Sequence, residues 1–193
     1  MNFSSTRLRT AASAIAALTA AVIGMSATPA SAATGGTYTG LPFINGGGHY
    51  RDDWSDEGIL SVNPYAGHAR SNATCLWQRI LHLHGLLELR EVDGIFGQKT
   101  ANATKQFQQL MWLSADGAVG KDTFNKAGAG AFRDYGITYV SGDYNTNGAI
   151  VQLRYQGDST NSFPMVRTGS GHYLFPDRNG VMRAASYDYL TCS

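Results

Sequence analysis

The five histidines are the side chains of this sequence best suited to binding a catalytic metal. His82 and His84 are two residues apart on a predicted helix, so they point about 200° apart and cannot bind one ion together. The sequence also lacks a His-Glu-x-x-His motif. Zinc enzymes use three protein ligands and an open coordination position, and a set built from His49, His68 and His172 stays open. Apart from that arrangement, we predict no metal site and no cofactor.

Nucleophiles and acid–base pairs are also scarce. A glycosidase needs two carboxylates flanking the scissile bond, yet the only glutamates are Glu57, Glu88 and Glu91. The run around Ser170 lacks the Gly-x-Ser-x-Gly spacing of a nucleophile elbow, although Asp158, His172 and Asp177 could converge in the folded chain. We expect a noncatalytic protein, with a hydrolase of unrecognised active site as the alternative.

The N-terminus has the pattern of an export signal. Arg7 and Arg9 precede an uncharged, mostly apolar stretch over residues 11–25, and the small residues of 30–32 follow. This order predicts a secretory signal over residues 1–32, cleaved after Ala32. A membrane anchor would need about 20 apolar residues. The mature chain is therefore predicted to be secreted and extracellular, with no membrane partner.

The two cysteines, Cys75 and Cys192, both follow the predicted cleavage site. In an oxidising compartment they would most simply form one disulfide bond. That bond would close a loop that the chain-entropy model values at about 4–5 kcal/mol. Two free thiols, or a cysteine nucleophile, are the alternatives, since a Cys–His hydrolase needs a free thiolate.

Residues 92–100 and 115–123 are two copies of one short pattern, x-Asp-Gly-x-(Phe/Val)-Gly-x-x-Thr. An Asp-Gly pair favours a tight turn, because Asp accepts hydrogen bonds from the following N–H groups and Gly adopts a positive φ. We expect Phe96 and Val119 to enter the core and Thr100 and Thr123 to lie in the first turn of a helix. Each copy is thus a loop that starts a helix.

Residues 71–129, which contain both copies, are predicted to be helical. Apolar residues at three- and four-residue spacing mark the first helix, namely Leu76, Ile80, Leu83 and Leu87. Ser71 or Asn72 can cap its start, and Gly85 is placed to end it. The second helix is predicted from Gln98 to Met111, with an inner face of Ala103, Phe107 and Leu110. A third begins near Lys121.

The flanking segments have other patterns. Residues 33–70 are rich in glycine and read as loop, with a short strand at 58–62. Residues 130–193 contain five β-prone runs separated by turn-forming clusters, at 137–140, 150–155, 163–166, 172–175 and 181–184. The predicted fold class is therefore α+β, a helical module followed by a small antiparallel β-rich C-terminal segment.

The ordered residues of 71–129 resemble the peptidoglycan-binding domain family, an accessory module of many bacterial cell-wall hydrolases. The matching positions are Gln78, Leu81, Gly85, Asp93, Gly94, Phe96, Gly97, Thr100, Ala103, Phe107, Gln108, Leu113, Asp116, Gly117, Val119, Gly120 and Thr123. Two positions depart from the family pattern. Trp77 replaces the usual Leu before Gln, and Trp112 stands where a Gly often precedes Leu113.

The resemblance implies a three-helix bundle that binds peptidoglycan noncovalently. The candidate binding residues are Gln78, Asp93, Phe96, Thr100, Gln108, Trp112 and Asp116. For most of them a structural role is the alternative: turn formation for the aspartates, loop hydrogen bonds for the glutamines and core packing for Phe96. Either the glycan or the stem peptide could be the ligand.

These observations predict a secreted, noncatalytic cell-wall protein that binds peptidoglycan through residues 71–129. The alternatives are a wall hydrolase with its site in the β-rich segment, or an extracellular interaction protein that uses the module as a scaffold. Seven tyrosines in that segment could stack on sugar rings or simply fill strands. A net charge of +1 gives no basis for binding nucleic acid.

Overall fold

The computed structural model describes residues 40, 42–63, 68–130, 135–146, 148–157 and 161–192. The predicted signal, residues 1–32, lies outside the described residues, as does Asp158. Within the described ranges, no helix is both long enough and apolar enough to cross a lipid bilayer. The fold class is α+β, with three α-helices and one antiparallel sheet in this part of the chain.

The three helices are α1, Asn72–Leu83, α2, Gln98–Leu110, and α3, Lys121–Ala129. Ser71 caps α1 as expected, because its Oγ accepts a hydrogen bond from Thr74 N at 3.0 Å. Gly85, with φ of 68°, follows its end. The expected place of Leu110 on the inner face is wrong, since it is 56% exposed. The buried stripe of α2 instead runs through Thr104, Phe107 and Met111.

The described residues of the C-terminal part form a five-stranded meander in the order β1-β2-β3-β4-β5, with every neighbouring pair antiparallel. The strands are β1 Gly136–Ser141, β2 Val151–Gln156, β3 Ser162–Arg167, β4 Tyr173–Pro176 and β5 Met182–Ala184. All five predicted β runs are therefore strands. The strand expected at 58–62 is reduced to an isolated bridge between Leu60 and Val119.

The glycine-rich N-terminal segment joins the helices to the sheet. Trp54 is buried, and its ring lies 6.1 Å from Phe124 of α3, 6.2 Å from Tyr155 of β2 and 5.5 Å from Tyr173 of β4. Nearby, the backbone of Ile44 bonds to the chain at both β4 and the residue after β5. The core therefore runs continuously from the helices to one face of the sheet.

The same segment buries two carboxylates. Asp53 Oδ2 accepts hydrogen bonds from Arg167 Nη1, at 2.7 Å, and from the hydroxyl of Tyr173. Glu57 accepts from the hydroxyl of Tyr187 at 2.7 Å and from a backbone N–H. Burial raises the pKa of Glu57 to about 8 and also raises the pKa of Asp53. Of the two, only Asp53 has a cationic partner among the described residues, Arg167, which offsets part of the cost of burying its charge.

The C-terminal tail is fixed to the start of α1. The N–H groups of Asn72 and Ala73, which have no partner within the helix, donate to the carbonyls of Tyr189 and Ser186 at 2.8 Å. The Asn72 Oδ1 accepts from the N–H of Cys192 at 3.2 Å. The predicted disulfide bond is present between Cys75 and Cys192. The tail therefore supplies hydrogen-bond partners, beside the Ser71 cap, for the first N–H groups of α1.

Removing the cross-link should weaken the fold from its C-terminal end. Cys192→Ser opens a loop with a sequence separation of 117, so the free energy of unfolding should fall by about 4–5 kcal/mol on the chain-entropy estimate. Urea unfolding measures this change. Limited proteolysis should then cut first within residues 130–193 and leave a resistant core near 71–129. Mass spectrometry that finds two free thiols in the wild-type protein would contradict the account.

Glu57 should make the protein less stable as pH rises. Its pKa is about 8 in the fold against 4.5 as the ordinary value, so between these pH values the unfolded chain binds fewer protons than the folded one. The free energy of unfolding therefore falls over that window and levels off above about pH 8. In Glu57→Gln the fall in Tm from about pH 5 to about pH 8 should be smaller than in wild type. A part of the fall should remain, because the pKa of Asp53 is also raised. Equal falls in variant and wild type would show that Glu57 titrates normally.

Candidate functional site

Gln78 of α1 bonds to several residues of the first repeat loop. Its Oε1 accepts hydrogen bonds from the N–H groups of Asp93, at 3.0 Å, and Gly94, at 2.7 Å. Its Nε2 donates to Asp93 Oδ1, Ile95 O and Thr100 Oγ1, each at 3.0 Å. Because Gln78 is buried, its amide group is committed to holding the loop.

Gln108 makes the same arrangement in the second loop. Its Nε2 donates to Asp116 Oδ1 and Ala118 O, both at 2.8 Å, and to Thr123 Oγ1 at 3.2 Å. Its Oε1 accepts from Gly117 N at 2.9 Å. The sequence repeat is therefore also a repeat of one hydrogen-bond circuit.

The two aspartates and the glycines after them form the turns that the repeat predicts. Asp93 Oδ1 accepts from the N–H of Ile95, and Asp116 Oδ1 from that of Ala118, both at 2.9 Å. The φ angles of Gly94 and Gly117 are 73° and 82°, in the left-handed region that favours glycine. The turn-forming role of both aspartates is thus present in the structure.

The two loops differ in what covers them. A Cβ on Gly94 would collide with the side chain of Leu190 and approach Cys192 Sγ, so the C-terminal tail lies directly on the first loop. A Cβ on Gly117 would instead meet Lys105 and the backbone of Ala101, both in α2. The tail therefore packs over one loop of a repeated pair, and the second is closed from within the helical module.

Trp112 differs from the other candidate binding residues. Its side chain is 85% exposed, whereas Phe96, Thr100 and both glutamines of the loops are buried. Its φ is 58°, and among the described residues it is the only non-glycine with a positive φ. A left-handed conformation costs an L-residue roughly 1–2 kcal/mol. Trp112 is therefore an exposed indole on a strained backbone.

The backbone at Trp112 is that of a helix C-terminus. The N–H of Trp112 donates to Gln109 O at 3.2 Å, and that of Leu113 donates to Gln108 O at 2.8 Å. This pair of bonds is the Schellman motif, in which the left-handed position is usually glycine. Gly85 occupies the matching position after α1, with bonds of the same pattern. Trp112 thus stands where backbone geometry alone would favour glycine.

The histidines left open as zinc ligands lie against aromatic rings. His49 stacks on Tyr50 with ring centroids 4.7 Å apart, and His172 stacks on Phe43 at 4.1 Å. His68 packs against the ring of a tyrosine. In the part of the chain that the structure describes, no three His, Cys, Asp or Glu side chains are grouped to hold a metal ion.

Asp177, one of the residues that could have converged on a catalytic site, closes the hairpin between β4 and β5. Its Oδ1 accepts from the N–H groups of Asn179, at 2.9 Å, and Val181, at 3.0 Å. Its Oδ2 accepts from Arg183 Nε at 2.9 Å, and these donors outweigh burial, so that the pKa of Asp177 is lowered. The structure therefore gives Asp177 a place in a turn.

Residues 70–126 match the family model described as "Putative peptidoglycan binding domain". The chain contains a peptidoglycan-binding domain. The boundaries of the match lie within a few residues of those of the helical module, residues 71–129. The match includes both repeat loops, Gln78, Gln108 and Trp112. The resemblance drawn from the sequence is thereby confirmed for this segment.

One curated relative was found for the chain. It is the N-acetylmuramoyl-L-alanine amidase CwlL of Bacillus licheniformis, 59% identical over 32 residues, which are 17% of this chain and 9% of the amidase. The chain thus spans under a tenth of the length of that relative. No solved structure matches the chain.

The predicted disulfide bond already joined the C-terminal tail to α1, but two specific contacts around the peptidoglycan-binding domain were not predicted from the sequence. The tail over Gly94 and the ion pair between Asp53 and Arg167 both join residues about 100 positions apart. Neither contact has a local sequence pattern, because a single Asp or Leu does not indicate which distant residue it will meet in the fold. Buried charge pairs between such distant residues can be identified only once the fold is known.

The buried glutamine of the peptidoglycan-binding domain should be a stability residue. Gln78→Met removes the acceptor of two backbone N–H groups, and leaving such groups unsatisfied should lower the free energy of unfolding by about 2–4 kcal/mol. Gln109→Met changes an exposed glutamine of α2 and should stay within about 0.5 kcal/mol of wild type. Urea unfolding compares the two variants. Equal stabilities would show that the circuit does not hold the loop.

Proposed function

We propose that this chain is a secreted, noncatalytic protein that binds bacterial cell-wall peptidoglycan through residues 71–129, folded as a three-helix bundle. The family match of residues 70–126 carries the ligand class. The export pattern of residues 1–32 supports delivery to the wall. We further propose that Trp112 is the principal contact.

The strain at Trp112 is the observation that favours this contact. Glycine would relieve the left-handed backbone there, so the fold alone gives no reason for a tryptophan. Strained residues concentrate at functional sites. An exposed indole offers a large apolar face with a polar N–H, which suits the C–H face of a sugar ring. These properties support the glycan strand as the surface that Trp112 meets.

The motif residues suit a supporting role. Gln78 and Gln108 use their amide groups inside the loops, and Thr100 accepts from the first of them. Phe96 is buried. Asp93 and Asp116 are only partly buried, so they stay candidates for a second contact. On this proposal the motif residues preserve the fold, and Trp112, an exposed residue that departs from the motif, binds the ligand.

Amidase activity is not assigned to the chain. The stretch shared with the Bacillus licheniformis amidase is 9% of that enzyme. So short a match is consistent with similarity to an accessory part of the enzyme. The histidines of the described ranges pack on rings or bond to backbone, and both cysteines are used in the disulfide bond. These observations support binding without hydrolysis.

Trp112→Gly should change stability and binding in opposite directions. Relief of the left-handed strain should raise the free energy of unfolding by about 1 kcal/mol, while loss of the indole should weaken sedimentation with insoluble peptidoglycan severalfold. Tyr189→Ala removes another exposed aromatic ring and should leave sedimentation unchanged. The full chain is mixed with purified peptidoglycan, and the bound fraction is measured over a range of concentrations.

Two results of that experiment would count against the proposal. If Trp112→Gly sediments like wild type, the binding surface lies elsewhere in the chain. If soluble muropeptides appear in the supernatant of the wild-type protein, the chain is a hydrolase and the noncatalytic assignment is wrong.

A further inference from the structure

A polar cleft lies at one end of the sheet, away from the repeat loops in sequence. It has a volume of about 220 Å³. Three loops line it: residues 46–48 of the N-terminal segment, residues 144, 146, 148 and 149 between β1 and β2, and residues 168–171 between β3 and β4. The antiparallel meander brings the last two together, because both connect strands at the same end of the sheet.

The cleft is polar but nearly neutral. Thr146, Thr168 and Ser170 line it together with several glycines. The Thr146 hydroxyl donates to Asp143 Oδ2, and the hydroxyl groups of Thr168 and Ser170 bond to each other. Its charged lining residue, Arg167, is paired with the buried carboxylate of Asp53 at 2.7 Å. The paired charge offers little attraction to an anion, whereas hydroxyl and peptide groups can both donate and accept. A neutral ligand rich in hydroxyl groups fits this lining.

Tyr144 is the one aromatic residue among the described residues that line the cleft. Its ring packs at 5.2 Å from His49, 5.7 Å from Tyr50 and 5.4 Å from Tyr139. Tyr139 is itself 41% exposed. Binding sites combine apolar, often aromatic surface with a few placed polar groups. A sugar ring has both kinds of surface, because its C–H face is apolar and its edge carries hydroxyl groups.

Two glycines that line the cleft differ in what surrounds them. A Cβ on Gly171 would collide with the backbone of Gly46, so close loop packing explains the glycine at 171. Gly47 is different: its φ lies outside the left-handed region, and a Cβ there would meet nothing within 4 Å. Neither strain nor contact in the fold requires glycine at 47. Because Gly47 lines the cleft, a larger side chain at this position adds bulk to its lining.

We propose that this cleft is a saccharide-binding subsite, which holds one sugar ring or the end of a neutral glycan chain. The volume is below the roughly 300–1,000 Å³ typical of pockets for drug-sized ligands, which favours a single ring. The site lies in the β-rich segment and does not depend on Trp112. It gives that segment a binding role of its own, separate from the helical module.

The test uses the full chain and a defined probe, the β-1,4-linked tetramer of N-acetylglucosamine. NMR titration of the ¹⁵N-labelled protein should shift the amides of residues 46–48, 144–146 and 168–171. Gly47→Leu should weaken this binding at least tenfold with Tm unchanged, because the added side chain meets no other atoms. Gly97→Leu is the matched control, since its Cβ also meets nothing within 4 Å, and it should bind like wild type.

Trp112→Gly separates this proposal from the previous one. It should leave the shifts at the cleft unchanged even where sedimentation with peptidoglycan is lost. Shifts confined to residues 71–129, no shifts at millimolar probe, or equal affinity for Gly47→Leu and wild type would each overturn the saccharide subsite. Shifts confined to residues 71–129 would still support glycan binding by the helical module, and the other two outcomes leave that proposal untouched.

Discussion

The helical module depends on a buried glutamine amide that bonds to each repeat loop from the preceding helix. Gln78 and Gln108 each join a helix to the turn that follows it, by bonds to the Asp side chain, the loop backbone and the Thr of the next helix. A tight Asp-Gly turn leaves backbone groups that must find partners inside the protein. The glutamine supplies them, so loop and helix can form only together.

This constraint separates the residues that identify the domain from those available to a ligand. Side chains committed to the circuit cannot also turn outward without leaving buried groups unpaired. The first loop is further covered by the tail at Leu190, which the disulfide bond of Cys192 holds in place. Under the proposed function the principal contact is therefore Trp112, which is exposed on a strained turn beside the second loop.

Much of the fold was predictable because its signals are local. The cap at Ser71, the helix end at Gly85 and the five β runs each follow from a few neighbouring residues. Leu110 was placed wrongly because it lies beside the buried stripe, and the helix ends there. The contacts of Trp54 and the pairing of Asp53 with Arg167 depend on the whole topology. For the same reason, the cleft beside the N-terminal glycines had no sequence signal.

Iodide quenching of tryptophan fluorescence tests the central claim most directly. The chain has three tryptophans, of which Trp54 and Trp77 are buried and Trp112 is exposed, so iodide should quench Trp112 alone. Adding soluble peptidoglycan fragments to the full chain should lower the quenching constant severalfold, because the indole becomes covered by the glycan. Unchanged quenching, under conditions where the protein demonstrably binds the same fragments, would contradict the account.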